Sequence, residues 1–173
     1  MSYDPFVDAV QRGILVGTSP IRSGADGWWI TNEGVVLLAA HLDERQRRVT
    51  LAHMLAHVDL DHEAGLPVHS GEARSQEIAA SRLATRRTIP LPELISALTN
   101  VGDDAELLAK HLDVTVSSLA KRMRNLSAWE WNEVRALDRR IRWPHLERRP
   151  LRCAISADVA AEPPRATPLL LAS

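Results

Sequence analysis

The chain has 173 residues, enough for one buried core, and its 45% apolar and 25% charged residues are those of an ordinary globular domain. One cysteine, Cys153, excludes an internal disulfide framework and fits a reducing compartment. The net charge of −1 is unevenly spread: residues 1–118 hold 10 Lys/Arg against 16 Asp/Glu, and residues 119–152 hold 10 against 4. Such a basic stretch can meet nucleic acid or an acidic surface, or pair with the acidic front of the same chain. No apolar run reaches the roughly 18 residues of a membrane helix, and MSYDPFVDAV lacks the apolar stretch of a secretion signal. A cytoplasmic protein with no membrane partner is expected.

DPFVDAVQR, residues 4–12, predicts a short helix that opens after Asp4 with Pro5 in its first turn. GADGWWITNEG reads as Gly-rich turns around an apolar patch, and GVVLLAAHL (34–42) as a buried strand. DERQRRVTLAHMLAHVDLDH then takes helical period, with Leu51, Leu55 and Val58 on one stripe. Gly65 and Pro67 break it, and a second helix runs from about Glu72 to Arg87 with Ser70 as N-cap. The remainder is helical: Pro92 opens LPELISALTN, Asp103 caps DAELLAKHL, a DVTV turn leads to SSLAKRMRNL, and a last helix covers about 128–142. This predicts an α+β core over 1–90, a helical module over 91–152, and an Ala/Pro/Ser-rich, disordered tail over 153–173.

His53 and His57 stand four apart on the predicted helix, so both imidazoles leave the same face one turn apart. That spacing suits a single zinc ion, which binds nitrogen at about 2.0–2.1 Å and commonly takes a carboxylate as third ligand. Glu77, on the following helix, is the candidate, with His62, His69 and Glu72 nearby. Spacing alone does not choose among them.

The ordered motifs GWWI, GVVLLAAHL, RRVTLAHMLAHVDLDH and EIAASRLATRRTIP resemble the ImmA/IrrE family of bacterial and phage metallo-endopeptidases over about residues 27–135. The family pattern has a strand, a T-L-A-H-E-x-x-H helix and a later E-x-x-A-x-x-x-A segment ending in Pro. The resemblance implies a zincin-like core with a small sheet, a zinc helix and a ligand helix. It also implies one zinc held by His53, His57 and Glu77, and a regulatory role in cleaving a helix-turn-helix repressor. Ala80, Leu83, Ala84 and Pro90 fall at the matching offsets. The departure is Met54, at the place of the general base. A thioether exchanges no proton, so turnover suffers rather than metal binding. Three accounts compete: a pseudopeptidase that binds its protein partner with little or no hydrolysis, an active endopeptidase in which Met54 is an introduced change, or one in which Glu72 or Asp59 serves as base.

DAELLAKHLDVTVSSLAKRMRNL, within 103–126, has the shape of a helix-turn-helix around Leu107, Leu108, Leu112, Val114, Val116, Leu119 and Met123. Its second helix is expected to present Ser117, Ser118, Lys121, Arg122 and Arg124, a face suited to DNA, although such pairs also serve as plain structural units. In WEW, Trp129 and Trp131 cannot share one helical face, so at least one is expected at the surface or an interface. Trp28 and Trp29 either wall a substrate groove or fill core over the histidine helix.

Overall fold

A computed structural model describes residues 3–21, 24–63 and 70–137, together with the backbone of 153–156. The Asp4 side chain accepts from the backbone N–H groups of Phe6 and Val7 and starts α1 (Pro5–Gln11) as predicted. Four strands follow the order β1-β3-β2-β4. The expected buried strand is β3 (Val35–Ala39), with β1 (Leu15–Ser19) parallel to it on one side. On its other side β2 (Gly27–Ile30) runs antiparallel, and β4 (Cys153–Ser156) lies parallel to β2.

Two expectations are corrected here. GWWI is a strand rather than part of a turn: four residues are too few to show alternation, and only the pairing with β3 declares them. Residues 153–156, expected in a disordered tail, pair with the otherwise open side of β2, and edge pairing of this kind has little signature in sequence. Residues 157–173 lie outside the described residues.

Helix α2 (Glu44–Asp59) opens with a capping box in which Asp43 and Gln46 satisfy each other's backbone N–H groups. It lays Leu51, Met54 and Leu55 on Val36 and Leu38 of β3, with Trp29 packed alongside. Trp29 therefore fills core, while Trp28, the next residue along the strand, belongs to the opposite face of the sheet. Gly27 permits the close approach: a Cβ there would sit 2.8 Å from Thr50 Cγ2 and 3.4 Å from Met54 Cγ. Helix α3 (Gly71–Thr88) is capped by Ser70 as predicted and meets α2 along Ala52, Ala56, Ala80 and Ala84. Alanines on both helices let the backbones come near, which brings side chains of α3 within reach of those on α2.

The rest of the described chain is α4 (Leu91–Val101), α5 (Ala105–His111), α6 (Val116–Arg124) and α7 (Ala128–Arg135). Asp104, not Asp103, caps α5, since its carboxylate is the one that reaches the N–H groups of Glu106 and Leu107. Helix α7 stops at Arg135 with Ala136 as its C-cap, short of the expected 142, and residues 138–152 with their arginines lie outside the described residues. Leu94, Leu98, Leu108, Val114, Leu119, Met123 and Val134 form one core that also takes in Val49 of α2 and Ile89. Trp131 packs against this core and Trp129 is 63% exposed, as the WEW spacing required. Among the described residues no helix is long and apolar enough to cross a membrane.

Candidate metal centre

His53 and His57 are both buried on the face of α2 that meets α3, and Glu77 descends on them from α3. His53 Nε2 is 3.1 Å from His57 Nε2 and 3.2 Å from Glu77 Oε2, while His57 Nε2 is 3.1 Å from Glu77 Oε1. The two rings each meet a different oxygen of the carboxylate, and one ligand atom from each of the three residues lies within 4.8 Å of the others. Ligand atoms at about 2.0–2.1 Å from a tetrahedral ion stand about 3.3–3.4 Å apart, so the spacing is on the scale that one ion needs. Among the described residues, His53, His57 and Glu77 are the one cluster of metal-binding side chains. The chemistry of the set agrees. Burial holds the His53 ring below its ordinary pKa, against the opposing pull of Glu77, and so favours the neutral imidazole. Burial also acts to raise the Glu77 carboxyl, but hydrogen bonds from His53 and His57 outweigh it and bring it to about 2. A neutral His53 ring beside an ionised carboxylate suits a cation.

Met54 follows His53 directly in the chain. It is fully buried, with Leu51, Leu55 and Trp29, against β2 and β3. The other candidate bases fare differently. Asp59 is clasped by Arg12, the C-cap of α1, and by Arg87 of α3, one to each carboxylate oxygen. Burial would raise its pKa, but those hydrogen bonds and charges prevail and hold it below the ordinary value. An acid so weakened as a base, and with both oxygens engaged, is a helix clamp. Glu72 is exposed in the first turn of α3 and is not among the clustered side chains.

His62, read from spacing as a spare ligand, stands behind the site instead: its Nδ1 is 2.9 Å from His57 Nδ1, the ring nitrogen on the far side from Glu77. Its distance of five from His57 exceeds one helical turn, so nothing in the helical period pointed to it. His69 lies outside the described residues.

The expected recognition face of α6 is not the face it shows. Arg122 is buried, donating Nε to the Ile89 carbonyl at 2.9 Å and Nη2 to Glu130 Oε1 at 2.5 Å. Ser118 is buried too, and it lines a small cavity with Lys121, His53, Ser81, Thr85 and Thr88. Arg124 is exposed, and Ser117 and Lys121 are half-buried. A cationic stripe in sequence thus splits into an internal strut, a wall beside His53, and one surface arginine. The reason is that α6 packs on α3.

No curated protein matches the chain. A Mycobacterium tuberculosis transcriptional regulator of known structure shares the fold, with a TM-score of 0.57 and 22% identity over 71% of this chain. The match spans 40% of that regulator's own length. The IrrE N-terminal-like domain of the M78 peptidases matches residues 11–124, a stretch that runs from the end of α1 through His53, His57 and Glu77 to the end of α6. With its paired histidines, its glutamate on the next helix and this match, the chain belongs to the IrrE N-terminal-like (ImmA/IrrE) family of M78 peptidases.

Proposed function

We propose that this protein is a regulator of the ImmA/IrrE type that holds one zinc ion through His53, His57 and Glu77. In this reading it recognises a helix-turn-helix repressor or similar protein with little or no hydrolysis. The observation that carries it is the fate of Met54, fully buried against the sheet beside an otherwise intact ligand set. A bound zinc ion would supply a Lewis acid and lower the pKa of water. The protein's part in peptide hydrolysis would be to accept and return the proton, typically worth a factor of about 10²–10⁴. Met54 has no group for that, and Asp59 is tied to two arginines. The family match and the neighbour described as a transcriptional regulator support the regulatory role. Recognition of duplex DNA through residues 117–124 has less to rest on, because Ser118 and Arg122 are buried.

The test is to incubate the wild type and Met54→Glu with zinc and a candidate helix-turn-helix repressor. The expected outcome is repressor capture by both and cleavage by the variant alone. Cleavage by the wild type would overturn the pseudopeptidase reading and restore the active endopeptidase in its place.

A further inference from the structure

Three helices among the described residues end in the same way. After α1, α2 and α5 a residue with positive φ (Gly13 at 69°, Asp61 at 48°, Asp113 at 52°) turns the chain back. The next residue then donates its backbone N–H to a carbonyl five positions earlier: Ile14 to Ala9, His62 to His57 and Val114 to Ala109. The positive-φ residue itself donates three positions back, to Val10, Val58 and Lys110. This is the Schellman motif, and it ordinarily closes with an apolar contact between the two residues joined by the longer bond. Two of the three do so: Ala9 with Ile14 in one core, and Ala109 with Val114 in another. The third places two imidazoles there, ring centroids 4.9 Å apart and nearly perpendicular, with Nδ1 facing Nδ1 at 2.9 Å.

Two ring nitrogens at that distance share one proton. If His62 donates, His57 carries its own proton on Nε2, pointed at His53 and Glu77. If His57 donates, its Nε2 offers a lone pair toward them. Only the second arrangement lets His57 ligate a metal, and only a hydrogen-bond acceptor at position 62 enforces it. His53 has no such support: its buried Nδ1 has no partner among the described side chains.

Building on the metal site proposed above, we infer that His62 is its positioning residue. The α2 cap has given up the apolar closure to fix the tautomer and orientation of His57. His62 touches no metal in this arrangement and acts through His57.

The experiment is zinc affinity of the full chain by competition with a chromogenic chelator, for the wild type, His62→Gln and His62→Leu. Gln keeps an acceptor for His57 Nδ1–H, and Leu restores the ordinary apolar closure of the cap. An outer partner of this kind typically supports a metal by about 10–100-fold, so His62→Leu should bind zinc that much more weakly and His62→Gln should recover most of the loss. Apo His62→Leu should melt no lower than the apo wild type, which separates the effect from folding. Equal affinity of His62→Leu and wild type would reduce the contact to a helix cap and overturn the inference alone, as would a His62→Gln variant as weak as His62→Leu. Zinc binding absent from the wild type would instead bring down the metal-site reading, and this inference with it.

Discussion

Among the described residues, two clusters of ionisable side chains stand out at helix–helix contacts, and they solve the problem of burial in opposite ways. Arg122 and Glu130 join α6 to α7 as opposite charges, with Arg122 also bonded to the Ile89 carbonyl and Glu130 to the Ser127 N–H. Nothing is missing from that set. His53, His57 and Glu77 join α2 to α3 at 3.1–3.2 Å, two rings hydrogen-bonded to one carboxylate. The same three groups could each give a lone pair to a metal ion instead. The difference teaches how to distinguish a buried polar strut from a candidate binding site: the first is made of opposite charges that complete each other, and the second is made of groups that an ion could complete.

The comparison can be broken most severely at the strut. Arg122→Met leaves Glu130 buried without its partner and should lower unfolding free energy by about 3–5 kcal/mol in urea titrations, whereas the double replacement Arg122→Met with Glu130→Met should regain most of it. The metal cluster should respond to ligand rather than to deletion. Zinc in thousandfold excess over its dissociation constant should add about 4 kcal/mol by mass action, and thermal scans should show that increment vanish in Glu77→Ala and His57→Ala. A strut without zinc dependence and a cluster with it is the expected pattern. Equal behaviour of the two would dissolve the contrast.

Acid separates them further. The Arg122 hydrogen bonds lower the Glu130 pKa, against partial desolvation, to about 2 from an ordinary 4.5. A carboxyl depressed in this way contributes stability that is fully present above its unfolded pKa and is lost as pH falls from about 4.5 through about 2. The contribution is on the order of 3 kcal/mol, and Glu130→Gln should flatten that part of the stability–pH curve. The smallest effect concerns the turn that seats His62. Asp61→Val forces a β-branched residue into left-handed backbone and should cost about 1–2 kcal/mol, whereas Asp61→Gly should cost nothing. Calorimetry of the two variants with and without zinc would show whether the cap and the site are coupled. Independence of zinc affinity from that turn would argue that His62 finds His57 without it.

What the sequence determined by itself was local and periodic. The paired histidines on one helical face, the Ser70 cap, the opening of α1 at Asp4 and Pro5, and the exposed partner in WEW are all consequences of 3.6-residue geometry or of capping chemistry. The family resemblance added Glu77 across a loop, where no periodicity could choose it from its neighbours. Tertiary structure decided the rest. GWWI became a strand only through pairing with β3, and residues 153–156 only through an open edge far away in sequence. Arg122 looked like a surface cation until α6 settled on α3 and turned it inward. Asp59 looked like a spare base until arginines from two other helices closed on it. His62 passed for a spare ligand until a left-handed residue folded it behind His57. In each case the side chain's chemistry was legible from its letter. Its role depended on which group from a distant element arrived beside it, and that is fixed by packing rather than by pattern.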